Sequence, residues 1–158
     1  MNVQELTNAM RNSTSEIFET MFFMPLEYEE HKGIEDLVTG IEEPLVGANI
    51  GFSGPFIGRL AILLPQGLAR ELTSNFLGED ESAVTEDMVD GTIKEILNML
   101  AGKMLSLYDS RLVFNLEIPQ MTDISLIKGD QTTTKGQNFE LFINTVDNTF
   151  CMKLTIEN

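Results

Sequence analysis

Apolar residues recur at helical spacing in two long stretches of this chain and at strand spacing through much of the rest. Leu6, Met10, Ile17 and Met21 fall on one face, and Pro25 disfavours helical backbone in the residue before it, so a first helix is predicted over about Val3 to Met24. An acidic, poorly patterned stretch follows. Leu45 to Ser53 and Phe56 to Leu64 are rich in β-formers and glycine and meet at Gly54-Pro55, which predicts a hairpin. Pro65 then opens a short helix through Leu68, Ala69, Leu72, Phe76 and Leu77, with Gly78 as its stop. The acidic run GEDESAVTED leads into a second long helix, capped by Thr85, carrying Glu86 and Asp87 in its first turn and ending near Tyr108. Beyond it, Val113 to Ile118, Ile124 to Lys128, Phe139 to Val146 and Phe150 to Ile156 predict strands, the last two joined at Asp147-Asn148. The TTTKGQ segment at 132–137 is expected to be mobile. Helix, strands, two helices, strands is the order of an α+β domain with a mostly antiparallel sheet packed against long helices.

The second long helix has an unusual outer face. At roughly 100° per residue, Ile93, Ile96, Leu97, Leu100, Met104 and Leu107 form one apolar stripe, and Gly91, Glu95, Asn98 and Gly102 line the opposite side. Solubility alone does not call for glycine there, since each costs about 1 kcal/mol in a helix interior. Small residues on either side of a Glu/Asn pair admit a partner's backbone where Lys or Arg would block it. Met88, Met99 and Leu105 flank this stripe and are expected to give adaptable apolar contact if exposed, or to pack against neighbouring helices. The first helix carries an echo: Glu16-Ile17-Phe18-Glu19-Thr20-Met21 aligns with Glu95-Ile96-Leu97-Asn98-Met99-Leu100, as two duplicated units would. Asn98 both donates and accepts hydrogen bonds, whereas an ionised Glu19 only accepts.

Charge narrows the partners. Ten Lys and Arg against 25 Asp and Glu give a net charge of -15, which repels nucleic acid and anionic membranes and favours a protein partner with a basic patch. No apolar run approaches the ~20 residues of a membrane span. The start MNVQELTNAMRNSTSE lacks a signal-peptide pattern, so a cytoplasmic protein is expected. A single domain of 158 residues fits the length. One His31 and one Cys151 supply neither HExxH nor CxxC, so no intrinsic metal site is expected, and Cys151 has no partner for an internal disulfide. The sequon Asn12-Ser13-Thr14 carries no weight in a chain that is not secreted. Gly51-Phe52-Ser53-Gly54 matches a nucleophile elbow only in part, because Pro55 stands where the last glycine belongs. The spacing of Gly47, Gly51, Gly54 and Gly58 fits close packing in a hairpin rather than a phosphate loop. Glu95 and Asn98 remain; on spacing alone such a pair is ordinary solvated surface.

The sequence E-I-L-N at 95–98, flanked by glycines and followed by Pro119, resembles the active-site helix of the CheC/CheX family of chemotaxis phosphatases. SEIFETMFFMPLE resembles that family's first helix, and GFSGPFIGRLAILLP its glycine-rich hairpin. Gly91 stands where the family pattern has Asp or Ser, with Asp90 just before it. One complete motif, with Glu19 interrupting the first-helix copy, is closer to CheX than to CheC, which typically carries two. The resemblance implies a CheC-like fold with internal pseudo-duplication and hydrolysis of the aspartyl-phosphate on a CheY-like response regulator. In that reading Asn98 orients the attacking water, Glu95 engages the regulator's active-site lysine, and Gly91, Gly102, Met99 and Leu105 border the docking face. No intrinsic cofactor is implied, and Mg2+ is expected on the regulator. A homodimer is also implied, and the apolar strand Phe150 to Ile156 adds a reason, since a bare edge invites association. The alternatives are a non-catalytic regulator-binding module related to flagellar-switch proteins, and a plain scaffolding domain.

Overall fold

The two long helices begin in the same way. The side chains of Asn2 and Thr85 accept hydrogen bonds from the backbone N–H groups three residues on, Glu5 at 3.1 Å and Met88 at 3.2 Å, so each helix start is capped. In the computed structural model, which describes residues 1–129 and 136–157, these caps open α1 (Val3–Phe22) and α4 (Glu86–Tyr108). The other helices are α2 (Ile34–Gly40), α3 (Gln66–Leu77) and α5 (Ile124–Lys128). The strands are β1 (Glu27–Glu29), β2 (Leu45–Ser53), β3 (Gly58–Pro65), β4 (Asn115–Leu116), β5 (Gln120–Thr122), β6 (Gly136–Asn144) and β7 (Thr149–Glu157).

All strand pairs are antiparallel, in the order β1-β6-β7-β3-β2-β4, and β5 pairs with β2 further along the same edge. Exchanging β1 with β5, β2 with β6 and β3 with β7 reverses the order and leaves it otherwise unchanged. The duplication seen in the two long helices therefore extends to the sheet, with a pseudo-two-fold between β3 and β7. Helices α1 and α4 lie antiparallel, because the Asn2 N–H donates to the Tyr108 hydroxyl at 2.9 Å and Lys103 pairs with Glu16. Their inner faces meet Ile50, Phe52, Leu60, Ile62, Met152 and Leu154 of the central strands in the main core, where the Phe18 ring stacks on Phe150 at 4.8 Å. On the opposite face of the sheet, α2 and α5 cover a smaller cluster of Ile34, Leu37, Ala61, Leu63, Ile127, Phe142 and Cys151.

The predicted α+β class and antiparallel sheet hold, and several elements differ. Met21 is exposed rather than core-facing, because Phe18 and Phe22, four apart, take the buried face at the end of α1. Leu107 is likewise exposed; the buried stripe of α4 drifts to Ala101, Met104 and Leu105. Ile124 to Lys128 is the helix α5 and not a strand, with the N–H of Gly129 donating to Ser125 O at 3.1 Å, and it sits where the repeat demands a counterpart of α2. In the stretch 113–118 the strand is confined to Asn115–Leu116, with the Glu117 N–H also donating to Gly51 O at 2.8 Å, and Pro119, which has no N–H to donate, separates it from β5. Elements β1 and α2 occupy the stretch that showed no pattern. Strand β6 runs from Gly136 to Asn144, so Gly136 and Gln137 are ordered; the rest of the segment expected to be mobile, 132–135, lies outside the described residues. Val146 is in the turn, which Thr145 closes by donating its N–H to Asn148 O at 2.8 Å. Strand β7 is paired on both sides, by β3 and β6, so the bare-edge reason for a dimer does not hold.

Helix α1 ends at Phe23, whose φ of 54° makes it the single positive-φ non-glycine among the described residues. That left-handed turn lets the Met24 N–H donate to Phe18 O at 3.0 Å, and it costs an L residue with a β-carbon about 1–2 kcal/mol. Helix α3 ends in the same conformation at Gly78, where no such cost arises.

Removing the cap of α4 has a defined consequence. Thr85→Ala is expected to destabilise the protein by about 1 kcal/mol, a fall in Tm of about 2–4 °C in a thermal melt, because the Met88 N–H loses its acceptor.

Candidate active site

Helix α4 is held by one face and free on the other. Ile93, Ile96, Leu97, Leu100 and Met104 are fully buried, which leaves Gly91 and Glu95 exposed and Asn98 and Gly102 half-buried on the outer side. Among the described residues no side chain hydrogen-bonds to Glu95 or Asn98, and no cation lies within the 4.0 Å of an ion pair from Glu95. Both are unengaged polar groups on a rigid helix. A β-carbon placed on Gly91 would meet nothing within 4 Å, so the approach beside Glu95 is open. Gly102 faces the chain itself, with Leu116 Cδ1 at 4.0 Å, and lines a recess of about 200 Å³ between α4 and the segment leading into β4. The two glycines therefore differ: one leaves space for a partner, the other for β4.

The apolar neighbours divide as well. Met99 is half-buried and packs on the main core, and Leu105 is buried at 5% exposure, so Leu105 does not border the outer face as expected. Its position follows from the drift of the buried stripe toward Ala101 and Leu105. Met88 is half-buried near the N-terminal end of the helix, where its sulfur receives the Thr85 N–H at 3.5 Å.

The copy on α1 is built differently. Glu16, equivalent to Glu95, pairs with Lys103 at 3.2 Å across the helix interface. The shift that relates Glu16 to Glu95 relates Lys103 to Met24, which carries no charge, so the counterpart ion pair is absent and Glu95 stays free. Both partners of the Glu16–Lys103 pair are substantially exposed, and the pair contributes at most about 1 kcal/mol to stability. Its importance is geometric, since it occupies Glu16. Sequence reading did not identify Lys103 in this role, which becomes visible only when α1 and α4 are placed antiparallel.

Other chemistries find little support. Among the described residues no group of three or more His, Cys, Asp and Glu is placed to hold a metal, and no helix is long and apolar enough to cross a membrane. Ser53 ends β2 beside Gly54, whose φ of 157° belongs to the hairpin turn, so the elbow-like sequence is a turn. The Cys151 thiol is buried in the cluster under α2, and burial, reinforced by the carboxylates of Glu140 and Asp36, pushes its pKa up to about 12. A thiol so placed is a poor nucleophile at neutral pH.

The family model for the chemotaxis phosphatase CheX matches residues 46–141, which take in the β2–β3 hairpin from Val46 onward and the whole of α4 with Glu95 and Asn98. The chain belongs to the CheX chemotaxis phosphatase family. A CheC-like superfamily protein from Shewanella sp. PV-4 is similar over 100% of both chains, with a TM-score of 0.75 and 23% identity. CheX from Vibrio vulnificus is similar over 99% of this chain and 100% of its own, with a TM-score of 0.74 and 22% identity. The CheX–CheY–BeF3–Mg2+ complex from Borrelia burgdorferi gives a TM-score of 0.73 at 17% identity, over 97% of this chain and 98% of that one. At these identities the likeness is one of fold, and it agrees with the CheC/CheX-type architecture described above. No curated protein matches the sequence.

The raised thiol pKa makes a direct expectation. Iodoacetamide at pH 8 should leave Cys151 unlabelled in the native protein and label it fully in denaturant, because the thiolate fraction falls as the pKa rises. Intact-mass measurement before and after unfolding checks this; rapid native labelling would mean that the cluster under α2 opens readily.

Proposed function

We propose that this chain hydrolyses the aspartyl-phosphate of a CheY-like response regulator in chemotaxis signalling, with Asn98 orienting the attacking water and Glu95 engaging the regulator's active-site lysine. The observation that carries the reading is the pairing of two unengaged polar side chains, beside an open glycine, on a helix whose other face is fully buried within the region matched by the CheX family. A solved structure of similar fold is a CheX–CheY complex, which supports a regulator of that kind as the partner. The net charge of -15 suits a partner with basic groups around its phosphorylation site.

The chemistry asks little of the protein. An acyl phosphate already has a good leaving group, and the regulator brings its own Mg2+ and lysine, so rate comes from placing water in line with phosphorus and keeping it there. The Asn98 amide can accept a hydrogen bond from that water through its oxygen while its N–H donates one to a phosphoryl oxygen. As water attacks, the P–O bond to the aspartate breaks, the carboxylate leaves and the water proton passes to inorganic phosphate. Glu95, facing the regulator's lysine, fixes the register of docking by an ion pair. On α1, Glu19 can only accept, and its charge repels the phosphoryl group. The same reading includes a homodimer and a cytoplasmic location. With β7 paired on both sides, the strands left at the sheet edges are β1 and β4–β5.

Asn98→Ala is expected to lower the rate of phosphate release from phosphorylated regulator by about 10²-fold or more while leaving Tm within about 1 °C of wild type. A parallel loss of stability would assign Asn98 to the fold instead. Glu95→Lys should weaken both docking and turnover, with Glu95→Gln milder; equal binding of regulator by wild type and Glu95→Lys removes the proposed ion pair.

Glu19→Ala is expected to leave turnover within about twofold of wild type, because the α1 copy lacks the amide. A tenfold fall would make α1 a working second site.

A further inference from the structure

Phe23 has no structural reason to be phenylalanine. Its ring is 86% exposed, so it adds little to the core, and its backbone sits in the left-handed region where glycine is the natural choice, as Gly78 shows at the end of α3. A strained backbone beneath an exposed aromatic is the combination expected where a side chain is held out for a partner. A second exposed apolar residue lines the same recess. Val146, 83% exposed in the β6–β7 turn, shares with Phe23 a recess of about 220 Å³ that is also lined by Met24 and the carboxylates of Glu71 and Asp147.

The location ties this spot to the site on α4. Because α1 and α4 are antiparallel, the last turn of α1 lies beside the N-terminal half of α4, and counting along both helices from the Asn2–Tyr108 and Glu16–Lys103 contacts puts Phe23 level with the stretch between Asp87 and Ile96. With an offset of about 3–16 Å along α4 between that stretch and Asn98 and about 8–10 Å between helix axes, Phe23 falls on the order of 10–19 Å from Asn98. A standard interface of about 800 Å² per partner has a radius of roughly 16 Å, so one regulator whose footprint includes Asn98 can also cover Phe23.

We infer that Phe23, with Val146 beside it, is an anchor of the regulator-docking surface, receiving an apolar side chain of the phosphorylated regulator flanked by a cation that faces Glu71 and Asp147. The inference rests on the proposed phosphatase reading for the identity of the partner. Phe23 is a positioning residue: it holds the regulator and touches no reacting atom.

The test uses the full chain and a CheY-like regulator trapped with beryllofluoride and Mg2+, titrated by calorimetry, with steady-state phosphate release measured in parallel. Phe23→Gly is expected to weaken binding tenfold or more and to raise KM correspondingly, with kcat unchanged. Its Tm should hold or rise by about 2–4 °C, because glycine relieves the left-handed turn. Phe23→Tyr should restore binding, since it keeps the ring. Unchanged binding in Phe23→Gly overturns the inference, and so does a lower Tm, which would make Phe23 a structural residue. A wild-type protein that binds no trapped regulator overturns it together with the phosphatase reading. Asn98→Ala separates the two: full turnover in that variant removes the catalytic assignment, while weaker binding in Phe23→Gly still supports the anchor.

Discussion

The outer face of α4 can be given over to chemistry because the inner face is sealed. Five fully buried side chains, Ile93, Ile96, Leu97, Leu100 and Met104, each contribute on the order of 1.5–3 kcal/mol by leaving water. Gly91 and Gly102 each cost about 1 kcal/mol as helix residues. Burial exceeds that cost several times over, so the helix holds with two glycines in it. Rigidity matters for a site whose proposed work is to place one water, since an error of about 1 Å in such placement costs about 10²-fold in rate. The stacking of Phe18 on Phe150 does for α1 what the aliphatic stripe does for α4, and each helix is the other's neighbour along its length.

Near-symmetry in the fold makes the asymmetry in the surface easier to read. Two helices related by a pseudo-two-fold present equivalent positions to solvent, and the chain has used them differently. Glu16 is tied to Lys103, while Glu95 faces no cation among the described residues. The Asn98 position holds a glutamate on α1, and the Gly102 position holds Phe23. The ion pair leaves Glu95 free where Glu16 is engaged, the amide gives α4 a group that both donates and accepts, and the small residue at 102 admits Leu116 of β4.

The parts of this protein legible in the sequence are those written by local rules. Thr85 as a cap, Gly78 as a stop and Gly54-Pro55 as a hairpin turn all stand in the structure, because each is decided by a few adjacent residues. Glu95 and Asn98 were legible for a related reason: helical periodicity sorts inner from outer faces without reference to the rest of the fold. Long-range context decided the remainder. Ile124 to Lys128 has the composition of a strand, yet Ile127 is required against Ala61 and Leu63 on the back of the sheet, and a helical turn delivers it there. Leu105 looked like a flank of the polar stripe until the packing of α4 on β2 drew the buried face toward it. The Glu16–Lys103 pair joins residues far apart in sequence, and no local pattern could have announced it.

The interleaving of the two repeats also bears on how the chain reaches its fold. Strand β1 pairs only with β6, and β3 has β7 as its second neighbour, so the hairpin β2–β3 is the one pairing of the first half that forms within that half. The sheet is closed from the far end of the sequence: β7, the last described strand, enters at its centre. Such a topology has high contact order and folds slowly compared with one built from local pairings. Until β7 is in place the open side of β3 has no strand partner, and the 25 carboxylates of the chain favour solubility while it waits.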